Sequence, residues 1–247
     1  GYSENQSGAS VPAAIVHTVT LGERSAVEKD SSALLDPQEW QTLEQRGRHR
    51  SYGRGQVLFF EGDQGGSVIA LRSGRAKVSV QTLPGRELLL AVKGPGELLG
   101  EMSALDGRPR SATATTMEPV EALVVSASVF QEFLKAHPRV ALRLLQALTA
   151  GLRDADELIA DRDAGDTVSR TARRLVHLAG RYGEHNAGNT HVGLTLTLTH
   201  GELASWIGVS REATSRALSQ LRVAGYITTE RRSITVIDLA GLRRYLG

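Results

Sequence analysis

The sequence predicts an α+β fold with an N-terminal antiparallel β-roll, a long dimerisation helix and a C-terminal winged helix-turn-helix. Three observations lead to this prediction. Short apolar segments separated by glycine fill residues 52–125, an apolar pattern of helical period follows, and two short helices joined at Gly208 precede a hairpin. The predicted divisions are a flexible N-terminal arm at 1–33, the roll at 34–137, the dimerisation helix at 138–163 and the winged helix-turn-helix at 164–247.

Composition places the chain among globular proteins and excludes several kinds of site. The chain is 40% hydrophobic and 23% charged, and it contains no cysteine, which excludes disulfides, cysteine-bound iron–sulfur clusters and thiol-based redox sensing. No apolar run approaches the ~20 residues of a membrane helix, and no secretory signal pattern opens the sequence. We therefore expect a cytoplasmic protein without a membrane partner.

Charge is distributed unevenly along the chain. From Arg170 onward the sequence holds 11 Arg, no Lys and 5 acidic residues, whereas the preceding part holds 18 basic and 22 acidic residues. A basic C-terminal part next to an acidic N-terminal part is typical of a protein that binds nucleic acid.

The first 33 residues are polar and rich in Ser and Gly, which predicts a flexible arm. Asp36, Pro37 and Glu39 form the pattern of a capped helix start, with an N-cap, a proline at the first helical position and an acid three residues after the cap. Short strands with glycine between them then predict an antiparallel roll. The predicted strands are 57–60, 68–71, 76–80, 87–92, 112–116 and 120–125.

A short helix capped by Ser126 precedes the long helix predicted at 139–162. Apolar residues recur along the long helix in alternating steps of four and three, which predicts a seam that packs against the same helix of a second subunit. The seam residues are Ala141, Leu145, Leu148, Leu152, Ala155 and Ile159. A hinge at 163–166 is predicted to follow.

Two helices separated by Gly208 give the layout of a helix-turn-helix. Thr199 and Glu202 form a capping box that opens the first helix, and Ser210 caps the second. The small core of the motif is predicted to consist of Leu203, Ala204, Ile207, Val209, Ala217, Leu218 and Leu221. A strand at 194–198 precedes the motif, and the pair at 226–229 and 234–237 forms a hairpin after it.

The second helix carries side chains that suit base edges in the major groove. The fork of an arginine pairs with O6 and N7 of guanine, and a glutamate accepts from the amino group of cytosine. Arg231 and Arg232, at the tip of the hairpin, would lie along phosphate. The predicted residues in the first turns of the helix are Arg211, Glu212, Thr214, Ser215 and Arg216.

A second candidate site lies in the roll, and it suits a cyclic phosphate–ribose ligand. Arg110 would pair with the phosphate and Ser111 would hydrogen-bond the same oxygens. Glu101 would accept from the ribose 2′-hydroxyl, Gly100 would allow close approach of the backbone, and Met102 belongs to the same segment. The alternative is an ion pair between Glu101 and Arg110 that only stabilises the roll.

These motifs together resemble the catabolite activator protein family, the superfamily of cyclic-AMP receptors and fumarate-nitrate regulators. The likeness covers residues 34–246, and it is carried by FEGD at 60–63, GPG at 94–96, GE at 100–101, RSAT at 110–113 and SREATSR at 210–216. The resemblance implies that Arg211, Glu212 and Arg216 contact bases while Thr199, His200 and Ser210 lie against phosphate. It also implies a homodimer on a palindromic operator in double-stranded DNA, with RNA polymerase as a candidate further partner.

The long helix departs from the pattern of this family. In the cyclic-AMP receptors two hydroxyl residues contact adenine, one from each subunit, and the matching positions here are Ala155 and Asp156. The carboxylate of Asp156 could accept from N1–H and N2–H of guanine, so cyclic GMP stands beside cyclic AMP as a candidate effector. A different ligand, or none, also stays open.

Two other functions compete with a ligand-controlled regulator. One is a ligand-independent regulator in which the roll serves as a dimer scaffold, and the other is a cyclic-nucleotide-binding module without DNA function. The arginine-only basic charge of the C-terminal part argues against the second. The seven His residues form no metal spacing, and the sequence has neither a nucleophile–base arrangement nor a Walker loop. No metal site, catalytic residue or enzyme activity is therefore predicted.

Overall fold

The computed structural model describes residues 34–83, 85–163, 166–185, 191–194, 196, 198–230 and 233–246. The predicted arm at 1–33 and residues 164 and 165 of the predicted hinge lie outside these ranges, so both stay predictions. Among the helices of the described ranges, none combines the length and the apolar composition needed to cross a bilayer.

The N-terminal part of the described chain is an antiparallel roll. Its strands are β1 (Arg48–Tyr52), β2 (Val57–Phe59), β3 (Ser67–Ser73), β4 (Ala76–Thr82), β5 (Arg86–Lys93), β6 (Leu98–Leu99), β7 (Thr113–Thr116) and β8 (Val120–Ser126). They form two four-stranded sheets in the orders β1-β8-β3-β6 and β2-β7-β4-β5. All of the pairings within both sheets are antiparallel, as the spacing of the short strands predicted.

Strand β3 is buried on both faces, which places it at the centre of the roll. Val68 and Ala70 belong to a core shared with helices, whereas Ile69 and Leu71 belong to the core inside the roll. Since successive side chains of a strand point to opposite faces, one sheet separates these two cores.

Three short helices flank the roll, α1 (Pro37–Glu44), α2 (Glu101–Asp106) and α3 (Ala127–Ala136). The capping box predicted for α1 is confirmed, because Asp36 accepts from the Glu39 amide at 2.8 Å and Glu39 accepts from the Asp36 amide at 2.8 Å. Ser126 caps α3 by accepting from the Val129 amide at 3.3 Å.

The predicted long helix is α4 (Pro138–Asp163), whose 26 residues span roughly 39 Å at 1.5 Å per residue. Val140 and Leu144, in its first half, are buried in the core that α3 and the roll share. The first half of α4 is therefore held by its own chain.

The C-terminal part is a winged helix. Its elements are α5 (Thr167–Tyr182), β9 (Gly183–His185), β10 (Val192–Leu194), α6 (His200–Ile207), α7 (Arg211–Val223), β11 (Ile227–Glu230), β12 (Ser233–Val236) and α8 (Leu239–Tyr245). The sheet has the order β11-β12-β10-β9. The α+β class predicted from the sequence is confirmed, with its roll, long helix and winged helix-turn-helix, whereas dimerisation through the long helix stays a prediction.

The structure differs from the prediction at short elements. The sequence did not predict β1, β6, β9 or α2, which are charged, very short or glycine-rich and form only beside distant partner strands or helices. The strand predicted at 194–198 differs from the structure, in which β10 is Val192–Leu194 and neither Leu196 nor Leu198 is in a strand; residues 195 and 197 lie outside the described ranges. Leu196 and Leu198 are buried in the winged-helix core.

Candidate DNA-binding and ligand-binding sites

Helices α6 and α7 form the predicted helix-turn-helix. Gly208 ends α6 in the left-handed conformation, with φ of 77°, and its amide donates to Ala204 O at 2.9 Å. Any residue other than glycine would be strained in that backbone conformation, which explains why the turn is centred on Gly208. The predicted core of the motif is confirmed: Val209 is partly buried, and Leu203, Ala204, Ile207, Ala217, Leu218 and Leu221 are buried.

Helix α7 presents three charged side chains on an exposed face. Arg211, Glu212 and Arg216 are exposed, and Ser215 is half-buried. Thr214 differs from the prediction, because its side chain is fully buried and its hydroxyl donates to Ser210 O at 3.1 Å. Thr214 therefore supports the turn between the helices and does not reach base edges in this arrangement.

The two helix starts of the motif are capped by the residues expected against phosphate. Thr199 accepts from the Glu202 amide at 3.1 Å, and Ser210 accepts from the Ala213 amide at 3.1 Å. His200 places Nδ1 3.0 Å from the hydroxyl of Ser215 and so connects the start of α6 to the exposed face of α7. The remaining free amides of a helix start bind phosphate well, which suits this placement.

The hairpin after α7 has the geometry of a wing. Strands β11 and β12 pair from Ile227 with Val236 to Glu230 with Ser233, and Ile227 and Val236 anchor the pair in the core. Arg231 and Arg232, predicted to lie along phosphate, come between these strands in the sequence and lie outside the described residues. Their role stays a prediction.

The candidate ligand site of the roll begins where β6 ends. Gly100 has a φ of 77°, and a Cβ at this position would overlap Nη1 of Arg110. Gly107 ends α2 with a φ of 72° and has open space around it. The sequence predicted that position 100 requires glycine so that the backbone can approach a ligand. The structure adds a second reason, because the guanidinium of Arg110 occupies the space that a side chain at position 100 would need.

Arg110 is held inside the roll, with only 5% of its surface exposed. Its Nη1 donates to Gly100 O at 2.7 Å, its Nη2 donates to Ser67 O at 2.6 Å, and the guanidinium stacks on the ring of Phe59 at 4.3 Å. Its Nε is buried without a hydrogen-bond partner. Buried donors are rarely left unpaired, so an anion that reaches this atom would satisfy it.

The hydrogen bonds of Arg110 bear on the alternative in which it only pairs with Glu101. They go to the backbone carbonyls of Gly100 and Ser67 and to the Ser67 hydroxyl rather than to the Glu101 carboxylate. Burial raises the pKa of Glu101, whereas its own backbone hydrogen bond and the charges of Lys93 and Arg110 act in the opposite direction. Burial lowers the pKa of Arg110, and Glu101 and Asp63 oppose this shift.

Two further residues predicted at the ligand site, Met102 and Ser111, are both exposed. Sequence reasoning missed Phe59 and Ser67, which position Arg110, because they lie more than forty residues away along the chain. No local signal marks such partners, since they are brought together only by the pairing of strands.

Helix α4 carries exposed apolar residues in both of its halves. Leu145, Leu152 and Ile159 of the predicted seam are 61%, 63% and 64% exposed, and Leu142, outside it, is 57% exposed. Ala141 and Leu148 instead pack against the core of their own chain. The first half of the predicted seam therefore contributes to that core and, through Leu145, to the exposed surface that we expect to contact a second subunit. The departing positions, Ala155 on the seam and Asp156 next to it in the sequence, are both exposed.

The chain is similar to known proteins over both of its parts. Residues 49–137 match the family model of a cyclic nucleotide-binding domain, and residues 169–245 match that of a Crp-like helix-turn-helix domain. A CRP-like cAMP-activated global transcriptional regulator of Mycobacterium tuberculosis is 33% identical over 193 residues, covering 78% of this chain and 85% of that protein. The cyclic AMP receptor protein of Thermus thermophilus is 32% identical over 196 residues, again covering 78% and 85%.

Solved structures show the same architecture. A CRP-family transcriptional regulator of Thermus thermophilus matches with a TM-score of 0.65 at 26% identity, over 80% of this chain and 96% of that chain. A CooA mutant from Carboxydothermus hydrogenoformans matches with a TM-score of 0.72 over 83% and 90%, and at 20% identity this likeness shows the fold alone. From the two matched domains and these relatives, the chain belongs to the CRP/FNR family of DNA-binding transcription regulators.

Proposed function

We propose that this regulator acts as a homodimer that binds a palindromic operator and responds to a cyclic nucleotide held in the roll. The observation that carries the DNA part is the exposed face of α7, on which Arg211, Glu212 and Arg216 follow the Ser210 cap. Side chains at the start of such a helix reach base edges in the major groove. Thr199, His200 and Ser210 then lie near phosphate, where they add affinity without selecting sequence.

The dimer brings two such helices to one DNA molecule. Leu145, Leu152 and Ile159 expose leucine and isoleucine side chains in a row along one helix, and burial of each against a partner helix contributes about 1–2 kcal/mol. Two recognition helices about 34 Å apart address half-sites one turn of DNA apart. A palindromic operator follows from this symmetry, and RNA polymerase is proposed as a further partner only through membership of the family.

The ligand part rests on the surroundings of Arg110. Its unpaired Nε, the carboxyl of Glu101 and the hydroxyl of Ser111 would bind the phosphate and ribose of a cyclic nucleotide, with Gly100 and Met102 beside them. The relative from Mycobacterium tuberculosis is named as cAMP-activated, which favours cyclic AMP as the first effector to test. Asp156 favours a second test with cyclic GMP.

A second candidate function has its own support. Ala155 and Asp156 lack the hydroxyls that contact adenine in the cyclic-AMP receptors, and Arg110 already donates to two carbonyls of its own chain. Both observations favour a ligand-independent regulator in which the roll is a scaffold. The two functions predict the same DNA binding and different calorimetry.

Calorimetric titration with cyclic AMP and cyclic GMP separates the two candidates. The ligand-controlled regulator gives saturable heat with one of them, and the Arg110→Ala variant loses that heat. Selection from a random pool of duplexes gives a palindromic consensus in either case, with binding that weakens steeply as salt rises. Specific DNA binding without heat from either nucleotide would establish the scaffold function, and the absence of any sequence preference would contradict both.

A further inference from the structure

The β4–β5 hairpin of the roll packs against the winged helix of the same chain. Leu89 and Val92 on β5 are 1% and 0% exposed, and they belong to the buried cluster that contains Leu203 and Trp206 of α6. Two apolar residues of the roll are therefore part of the core of the winged helix. We use the name hairpin contact for the surface formed by Leu89, Val92 and Glu97 of the roll with α5 and α6 of the winged helix.

The end of α5 supplies the polar part of the hairpin contact. The hydroxyl of Tyr182 donates to Val92 O at 2.8 Å. The guanidinium of Arg181 donates to Glu97 at 3.0 Å and to Asp154 at 3.2 Å. Since Glu97 belongs to the roll and Asp154 to α4, one arginine connects the roll, the dimerisation helix and the winged helix.

Burial and charge favour this arrangement at neutral pH. Burial raises the pKa of Tyr182 to about 12, so its hydroxyl stays protonated and continues to donate. The Arg181 side chain is 35% exposed and faces two carboxylates. Burial acts to lower the pKa of Arg181, but the interactions with Tyr182, Glu97 and Asp154 outweigh burial and raise it. Lys93, 3.2 Å from Glu97, shares that carboxylate.

The hairpin contact leaves the recognition face of the winged helix uncovered. Arg211, Glu212 and Arg216 remain exposed while α5 and α6 are held against β5. The contact therefore fixes the direction in which α7 points, and it does not block access to α7.

The same hairpin also packs against the core inside the roll, as does Phe59, whose ring stacks on Arg110 of the candidate ligand site. Val78 on β4 packs into the core inside the roll, on the opposite side from Leu89 and Val92. Glu97 lies three residues before Gly100, the first residue of the stretch 100–111 that carries the predicted ligand residues of the roll and that we call the ligand segment. A shift of that segment would reach Arg181 through a few residues of backbone.

We propose that Arg181 and Tyr182 are positioning residues that hold the winged helix against the β4–β5 hairpin and Glu97, so that the ligand segment controls the orientation of α7 within one chain. This route is additional to any change along α4. It rests on the proposed ligand response for its regulatory role, whereas the positioning itself requires no ligand.

The lack of cysteine in the chain allows a direct distance measurement. The substitutions Lys135→Cys on α3 and Val223→Cys at the end of α7 each replace an exposed residue. Spin labels on these cysteines mark the roll and the winged helix. Mixing labelled chains with excess unlabelled chain leaves one labelled subunit per dimer. Pulsed electron paramagnetic resonance then measures the distance between the spin label on the roll and the spin label on the winged helix of a single chain.

The variants for this measurement are Arg181→Gln, Tyr182→Phe and the pair together, and the control is Arg243→Gln, an exposed arginine on α8. The unmodified chain and the control should give one narrow distance. Loss of one charge-assisted bond should raise the population of other separations about tenfold. A narrow, unchanged distance in the double variant would overturn the proposal, as would a broad distribution in the unmodified chain.

A second measurement separates positioning from mere stability and from the proposed function. Tyr182→Phe removes a single hydroxyl, so its melting temperature should stay close to that of the unmodified chain while its distance distribution broadens. Calorimetry with cyclic AMP tests the ligand response independently. A nucleotide that binds the double variant normally, yet changes its DNA affinity as much as in the unmodified chain, would contradict the regulatory role and leave the proposed function standing.

Discussion

Replacing Gly100 with alanine should damage the ligand segment far more than the same change at Gly107. Both glycines have a positive φ, 77° and 72°, so alanine pays the same backbone strain of roughly 1 kcal/mol at either position. Around Gly107 nothing lies within 4 Å of an added Cβ, whereas at Gly100 the Cβ would overlap Nη1 and lie 2.7 Å from Cζ of Arg110.

The difference between the two variants measures what Arg110 contributes to the folded state. Displacing its guanidinium breaks the hydrogen bonds to Gly100 O and Ser67 O, each of which contributes about 1.5 kcal/mol or more because the donor is charged. We expect Gly100→Ala to lower the free energy of unfolding by roughly 4 kcal/mol, against roughly 1 kcal/mol for Gly107→Ala. Urea unfolding followed by circular dichroism measures both values.

A double variant tests the cause of the difference. In the Arg110→Ala background the atom that a Cβ at Gly100 would meet is absent, so adding Gly100→Ala should cost only the backbone strain. If Gly100→Ala and Gly107→Ala proved equally destabilising in the unmodified background, the packing of Arg110 against this glycine would be refuted.

Three further outcomes are expected. Leu152→Asp should give monomers in sedimentation while Val223→Asp, at an apolar position off the seam that is 85% rather than 63% exposed, stays dimeric; a dimeric Leu152→Asp variant would exclude the α4 seam. Arg216→Ala should lose about 1–3 kcal/mol of discrimination at one base pair in competition binding, whereas Arg243→Ala keeps the full selectivity. Because burial raises the pKa of Glu101 above its usual 4.5, cyclic-nucleotide affinity should fall on acidification at a higher pH than for an ordinary carboxylate, and calorimetry of Glu101→Gln should give weak binding without that slope.

The raised pKa of Glu101 also determines how this residue changes the stability of the fold with pH. A carboxyl whose pKa is higher in the folded chain favours the protonated form there, so its charge opposes folding above its unfolded pKa. That opposition is relieved as the pH falls through the folded pKa. A group that costs stability at neutral pH and lies in the ligand segment is consistent with a role in binding.

The start of α1 and much of the helix-turn-helix could be predicted because their signals are local. The capping boxes at Asp36 and Thr199 and the glycine at 208 each act within a few residues, and the structure has the helix boundaries that they predicted. The buried face of α7 was less accessible to sequence reasoning. Thr214 was expected at the base edges, yet it turns inward because its hydroxyl has an acceptor one turn earlier, at Ser210 O.

The sequence by itself determined the order of roll, long helix and winged helix-turn-helix, the starts of the capped helices and the arginine-bearing face of α7, since capping, glycine conformation and apolar period depend on neighbours along the chain. Only the tertiary structure decided that Arg110 is held by Ser67 and Phe59, and that Leu89 and Val92 of the roll enter the core beneath α6. An apolar residue on a strand has the same pattern whether it faces its own sheet or another domain. Whether such a residue packs in its own sheet or against another domain depends on which distant part of the chain shields it from water, and that part comes close only once the chain has folded.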